Sequence, residues 1–96
     1  MANIPRLRAV LAHIEAHPET WNQATYDCGS SHCFIGWASQ MAKEEGFRRH
    51  EDSYEYVWTY GARWLGLTYE QEGTIAHPRN TLEDLRRIVD EIEADA

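Results

Sequence analysis

Two cysteines and a histidine lie close together in the stretch CGSSHC at residues 28–33. Cys28 and Cys33 have a spacing that zinc sites use, and His50 or His77 could supply a further ligand. The well-defined zinc patterns have two ligand pairs, whereas this sequence has one. Adjacent helical residues also point about 100° apart, so His32 and Cys33 would not easily face one ion. A structural zinc site on Cys28 and Cys33, with His32 or His77, is therefore the alternative interpretation.

A cysteine near the N-terminus of a helix can be reactive, because backbone dipoles stabilise its thiolate there. Thioredoxin-like chemistry places its cysteine pair after a strand, and no strand is predicted here. A structural role explains more of the stretch. Gly29 would make a sharp turn, and Ser30 or Ser31 would cap the following helix. Cys33 would pack inward as a small apolar side chain, so we predict no catalytic residue and no cofactor.

Aromatic residues at positions 54, 56, 58 and 60 are too many for one helix to bury on a single face. Tyr56 and Tyr60 lie one turn apart, away from the face that carries Gly61 and Trp64. They are either exposed or covered by the loop at residues 18–30. An exposed pair would suit a protein-binding surface, since tyrosine supplies contact area at little entropic cost. The acidic residues that would rim this surface are Glu51, Asp52 and Glu55.

The composition narrows the classes of function. The chain has 96 residues, with nine basic and sixteen acidic side chains and a net charge of -7. Direct nucleic-acid binding is therefore not expected, whereas a basic protein partner would fit. The hydrophobic content of 43% and the four tryptophans argue against disorder. No apolar run approaches the roughly 18 residues of a membrane-spanning helix, and no secretory signal is visible, so we expect reduced thiols and a cytoplasmic location.

Hydrophobic periodicity and capping residues predict one all-α domain over residues 1–96. It would contain four main helices and one short helix, with an irregular loop between the first two. The predicted helices begin at Asn3-Ile4-Pro5, at Ser30 or Ser31, at Ser53, at Thr68 and at Asn80-Thr81. Glycine stops are expected at Gly46 and Gly66, since glycine readily adopts the left-handed conformation that ends many helices.

The pattern Cys28-Gly29-x-x-x-Cys33-x-x-Gly36-Trp37-Ala38 resembles one found in small uncharacterised proteins of actinobacteria and their phages. The turn Leu65-Gly66-Leu67-Thr68 and the stretch Asn80-Thr81-x-x-Asp84-Leu85 are similar to that group as well. These motifs span most of residues 28–92. The resemblance implies a bacterial or phage protein that acts inside the cell. It implies no activity and carries no catalytic residue over to this chain.

These observations predict a non-enzymatic, acidic helical protein that binds another protein. If a phage encodes it, a host protein is the expected partner. The expected contact residues are Tyr56, Tyr60, Glu51, Asp52 and Glu55. A dimer stays open, because the third helix carries more apolar surface than one small core would cover. The alternative is the small zinc protein on Cys28 and Cys33.

Overall fold

Five α-helices and one short 3-10 turn form the regular structure of residues 2–23, 33–48 and 57–96, which the computed structural model describes. The helices are α1 Ile4–Ala16, α2 Phe34–Glu44, α3 Val57–Leu65, α4 Tyr69–Ile75 and α5 Leu82–Ala94, and the 3-10 turn is Pro18–Thr20. These residues contain no β-strand. The prediction of an all-α fold with one short helix is confirmed.

Side-chain caps fix the starts of three helices where the sequence predicts them. The Asn3 side chain accepts a hydrogen bond from the Arg6 N–H at 3.1 Å, which caps α1. At α4 the capping pair is Thr68 with Gln71, and at α5 it is Thr81 with Asp84. The capping is reciprocal, because the two residues of each pair exchange two hydrogen bonds, of 2.9 and 3.1 Å. Each cap satisfies backbone N–H groups that have no partner within the helix.

The predicted start of α2 at Ser30 or Ser31 is wrong. The residue that caps this helix is Cys33, whose sulfur accepts from the Gly36 N–H at 3.5 Å. The Phe34 N–H is satisfied from elsewhere, by the Gln23 side chain at 3.1 Å. The helix therefore begins at Phe34, with Cys33 as its cap and the Gln23 side chain as the partner of its first N–H. The predicted start of α3 at Ser53 lies outside the described residues.

Glycines end α2 and α3 as predicted. Gly46 and Gly66 have φ angles of +79° and +71°, which other residues rarely adopt. After each glycine the chain folds back onto its helix. The Phe47 N–H donates to the carbonyl of Ala42 at 2.9 Å, and the corresponding bond at the end of α3 is 3.1 Å.

A close approach between α2 and α3 depends on Gly61. A Cβ atom at this position would lie 2.8 Å from the carbonyl oxygen of Ile35 and would also overlap the Ser39 side chain. Only glycine therefore allows the two helices to approach this closely.

All five helices contribute side chains to a single hydrophobic core. The largest fully buried apolar side chains include Phe34, Leu7, Ile14, Ile35, Leu65, Ile75 and Leu85. Cys33, with 1% of its surface exposed, belongs to this core, so its prediction as inward-facing packing is confirmed. Across the part of the chain that the structure describes, no helix is both long enough and apolar enough to cross a bilayer.

Candidate protein-interaction site

The prediction that Tyr60 belongs to an exposed contact surface is wrong. Only 1% of this residue is exposed, and its hydroxyl donates a hydrogen bond to the carbonyl of Phe47. The two rings also pack together, with centroids 5.5 Å apart. The turn at Gly46 is the physical reason, because it folds the chain back onto α2 and places Phe47 against Tyr60 of α3. The burial of Tyr60 also removes part of the apolar surface on which the prediction of a dimer rested.

The other residues of the predicted surface lie outside the described residues. These are Tyr56, Glu51, Asp52 and Glu55. Their role in partner binding stays a prediction.

The predicted zinc ligands fall into two groups. Cys28 and His32 lie outside the described residues, so the zinc site stays a prediction. Cys33 is buried, and this burial raises the pKa of its thiol, although backbone N–H groups at the start of α2 act in the opposite direction. His77 is exposed, and its Nδ1 accepts a hydrogen bond from the Arg79 N–H at 3.1 Å. Within residues 2–23, 33–48 and 57–96, no three His, Cys, Asp or Glu side chains are grouped to hold a metal ion.

Gln23 holds the end of α4 in place. Its side chain is buried, with Nε2 donating to the carbonyl oxygens of Ile75 at 2.8 Å and His77 at 3.1 Å. Its Oε1 accepts from the Trp21 indole at 3.0 Å and from the Phe34 N–H. One amide therefore connects the segment after α1 with the start of α2 and the end of α4.

A groove of about 310 Å³ runs between α4 and α5. Its lining is Thr68, Glu70, Gln71, Thr74, Ile88, Glu91, Ile92 and Asp95. Three of these residues carry carboxylates, and the lining contains no lysine, arginine or histidine. The buried side chains Ile88 and Ile92 form its floor. A ligand in this groove would therefore meet concentrated negative charge.

The ion pairs between α5 and α1 lie on the other side of α5. Arg8 pairs with Asp90 at 2.8 Å and also with Glu93, while Arg86 pairs with Glu15 at 2.6 Å. These pairs join α5 to α1 and neutralise acids there. In the groove, the Glu91 carboxylate forms an ion pair at 3.3 Å with Arg87 of its own helix.

Tyr69 stands at the first position of α4, between the lining residues Thr68 and Glu70 in the chain, and 92% of its surface is exposed. No other large hydrophobic residue in the described part of the chain is exposed to a comparable degree. We name the groove with its carboxylates Glu70, Glu91 and Asp95, together with Tyr69 next to Glu70 in the chain, the α4–α5 face. The sequence contained a signal for Tyr69. The Thr68–Gln71 capping box places Tyr69 at the helix start, about 120° around the axis from the buried Ile75.

A second groove, of about 430 Å³, lies between the start of α1 and the end of α2. Two of its three charged residues bind each other, since Arg6 pairs with Glu45 at 2.8 Å, and the third is Glu44. Arg6 also donates to the carbonyl of Trp64 at 2.8 Å and lies over that ring, 4.8 Å from its centroid. This groove is therefore a junction between helices, and its charges are less available to a partner than those of the α4–α5 face.

Comparison of the chain with protein-family models, curated proteins and solved structures found no match.

Proposed function

We propose that this is a non-enzymatic, acidic helical interaction protein that binds a basic segment of another protein on its α4–α5 face. One observation carries the proposal. A groove lined by three carboxylates and no basic side chain runs between α4 and α5, and Tyr69, next to the lining residue Glu70 in the chain, is 92% exposed. Exposed tyrosine supplies contact area at low entropic cost, and surrounding carboxylates select a positively charged partner.

The net charge of the whole chain supports the same kind of partner. A charge of -7 attracts a basic protein over a distance and raises its association rate. Salt screens this attraction, with a Debye length of about 8 Å at physiological ionic strength. Binding on the α4–α5 face should therefore weaken as salt increases, and the contact made by Tyr69 should account for the part that salt does not remove.

The test is binding of a labelled peptide in which arginines and lysines alternate with leucines, followed by fluorescence anisotropy. Tyr69→Ala should weaken binding about tenfold, as expected for loss of an aromatic anchor. Glu70→Gln/Asp95→Asn should weaken it about three- to tenfold, since each exposed charge contributes about 0.2–1 kcal/mol.

The matched control is Glu44→Gln/Glu83→Gln, which removes the same net charge outside the α4–α5 face. This control should retain nearly the wild-type affinity in low salt. Equal losses in both double variants would show that only overall charge matters and would refute the proposed site. No binding of any basic peptide by the wild-type protein would refute the proposed function.

The resemblance to actinobacterial and phage proteins supports the finer part of the proposal. We place the protein in a bacterial cytoplasm, where a phage-encoded chain would bind a host protein with a basic surface.

The zinc alternative on Cys28 and Cys33 has a direct test, elemental analysis of protein purified without an affinity tag. If the protein contains one equivalent of zinc and loses both the zinc and its fold when a chelator is added, the zinc-protein interpretation would take the place of the interaction-protein proposal.

A further inference from the structure

The side chain of His13 has a buried nitrogen with no partner. Its Nε2 is shielded from solvent and makes no hydrogen bond. The ring packs against the Trp37 ring, with centroids 4.3 Å apart, and against the His17 ring at 5.1 Å. Burying an unpaired polar atom costs free energy, and among the side chains that the structure describes no other buried nitrogen or oxygen lacks a partner.

The same cluster fastens the Pro18–Thr20 turn to the helices. The Trp37 indole donates to the carbonyl of Thr20 at 3.1 Å. Thr20 in turn donates to the carbonyl of His17 from its N–H at 3.0 Å and from its hydroxyl at 2.8 Å. His13 therefore packs directly against the two residues, Trp37 and His17, that hold the turn.

Protonation of His13, a partly exposed residue, would place a second N–H donor and a positive charge on a ring whose Nε2 is shielded from solvent. Burial and the neighbouring His17 both oppose the charge, whereas Glu44 on α2 favours it. The acidic residue on the turn is Glu19, whose Oε1 lies 3.7 Å from Nδ1 of His17, so its charge faces His17. Burial is the largest of these effects and lowers the pKa of His13 below its usual value.

We propose that His13 is a pH-sensitive latch: its neutral ring keeps the Pro18–Thr20 turn packed on α1 and α2, and its protonation releases the turn from Trp37. The helices stay folded in the released state, because the core side chains of α1 and α5 do not depend on this contact. Release exposes the Trp37 ring and part of α1.

The sign of the effect follows from linkage. A histidine with a lowered pKa in the closed state binds its proton more readily in the open state, so acid favours opening. The stabilisation of the closed turn is complete above the pKa of an exposed histidine, about 6.5, and falls as the pH drops below it. Between pH 7.5 and 5.5 the opening equilibrium can rise up to about tenfold, which is the limit set by that reference value.

Hydrogen exchange followed by NMR tests this latch on the intact protein. After correction for intrinsic exchange rates, protection of the Trp37 indole N–H and the Thr20 amide should fall several-fold between pH 7.5 and 5.5. Protection of Ile88 and Val89 in α5 should change much less. His13→Phe keeps a ring against Trp37 but cannot be protonated, so it should remove the pH dependence. His17→Gln keeps His13 and should retain the dependence.

Two results would overturn the proposal: unchanged protection of the turn in the wild-type protein, or the full wild-type pH dependence in His13→Phe. If His13→Phe does not fold, titration of the His13 ring in the wild-type protein decides instead. A midpoint below that of an exposed histidine supports the latch, and a midpoint at or above about 6.5 overturns it.

Discussion

At the scale of single residues, the buried side chain of Gln23 connects three segments of the molecule. Its amide has four hydrogen-bond partners in three separate segments. Only 6% of Gln23 is exposed, so water would not replace these bonds if the side chain were lost. A glutamine in an irregular stretch gives no periodic signal, and its partners Phe34 and Ile75 are 11 and 52 residues away. The sequence therefore could not predict this role.

Gln23→Leu should lower the free energy of unfolding by about 2–4 kcal/mol, because it leaves buried backbone groups of α2 and α4 unpaired. Urea denaturation measures the change. Gln40→Leu, a similar substitution on the partly exposed side of α2, should change stability by less than about 0.5 kcal/mol. Similar small losses in both variants would contradict the role of Gln23.

At the scale of helices, local signals predicted more than distant ones did. The caps at Asn3, Thr68 and Thr81 depend on residues three positions away, so a short sequence pattern contains the whole interaction. The start of α2 depends on Gln23, and the burial of Tyr60 depends on the carbonyl of Phe47, 13 residues away. The sequence left Tyr60 either exposed or covered. Residues four apart lie only about 40° apart around a helix, so Tyr60 shares the buried face of Trp64, and the fold-back after Gly46 supplies the partner of its hydroxyl.

Two helical glycines, one at the contact between α2 and α3 and one in α4, should respond in opposite ways to substitution by alanine. Gly61→Ala should destabilise the protein by about 1–3 kcal/mol, because the added methyl group meets the backbone of Ile35 and the side chain of Ser39. Gly73→Ala in α4 has no atom within 4 Å of the new methyl group, and it should stabilise the protein by up to about 1 kcal/mol. Thermal unfolding of the two variants compares them directly, and stabilisation by Gly61→Ala would disprove the close approach.

The capping box of α5 predicts a pH-dependent effect. Hydrogen bonds with Thr81, with a smaller contribution from Arg87, hold the pKa of Asp84 below its usual value. The charged form therefore stabilises the folded state above the unfolded pKa, and this stabilisation is lost as the pH falls through the lower folded value. Asp84→Asn should reduce stability at pH 7 and make little difference at pH 2, as measured by urea denaturation. An equal loss at both pH values would contradict this account.

At the scale of the whole molecule, charge is distributed unevenly around α5. On the side that packs against α1, Arg8 of α1 and Arg86 of α5 neutralise acidic residues. On the side towards α4, all charged residues that line the groove are carboxylates. The sequence contains the acidic excess directly. The contact surface that it predicted used Tyr56 and Tyr60; Tyr60 is buried by tertiary packing, and Tyr56 lies outside the described residues. The inward position of Cys33 was predictable, since its neighbours in α2 form an apolar stripe.

The most direct measurement of the central claim is an NMR titration of isotope-labelled protein with the basic peptide. The account predicts the largest changes in amide chemical shift at Tyr69, Glu70, Glu91 and Asp95. It predicts little change at Glu15 of α1, which pairs with Arg86 on the opposite side of α5. The changes should saturate with the affinity found by anisotropy. Saturable changes located elsewhere on the molecule, with the α4–α5 face unaffected, would contradict the account.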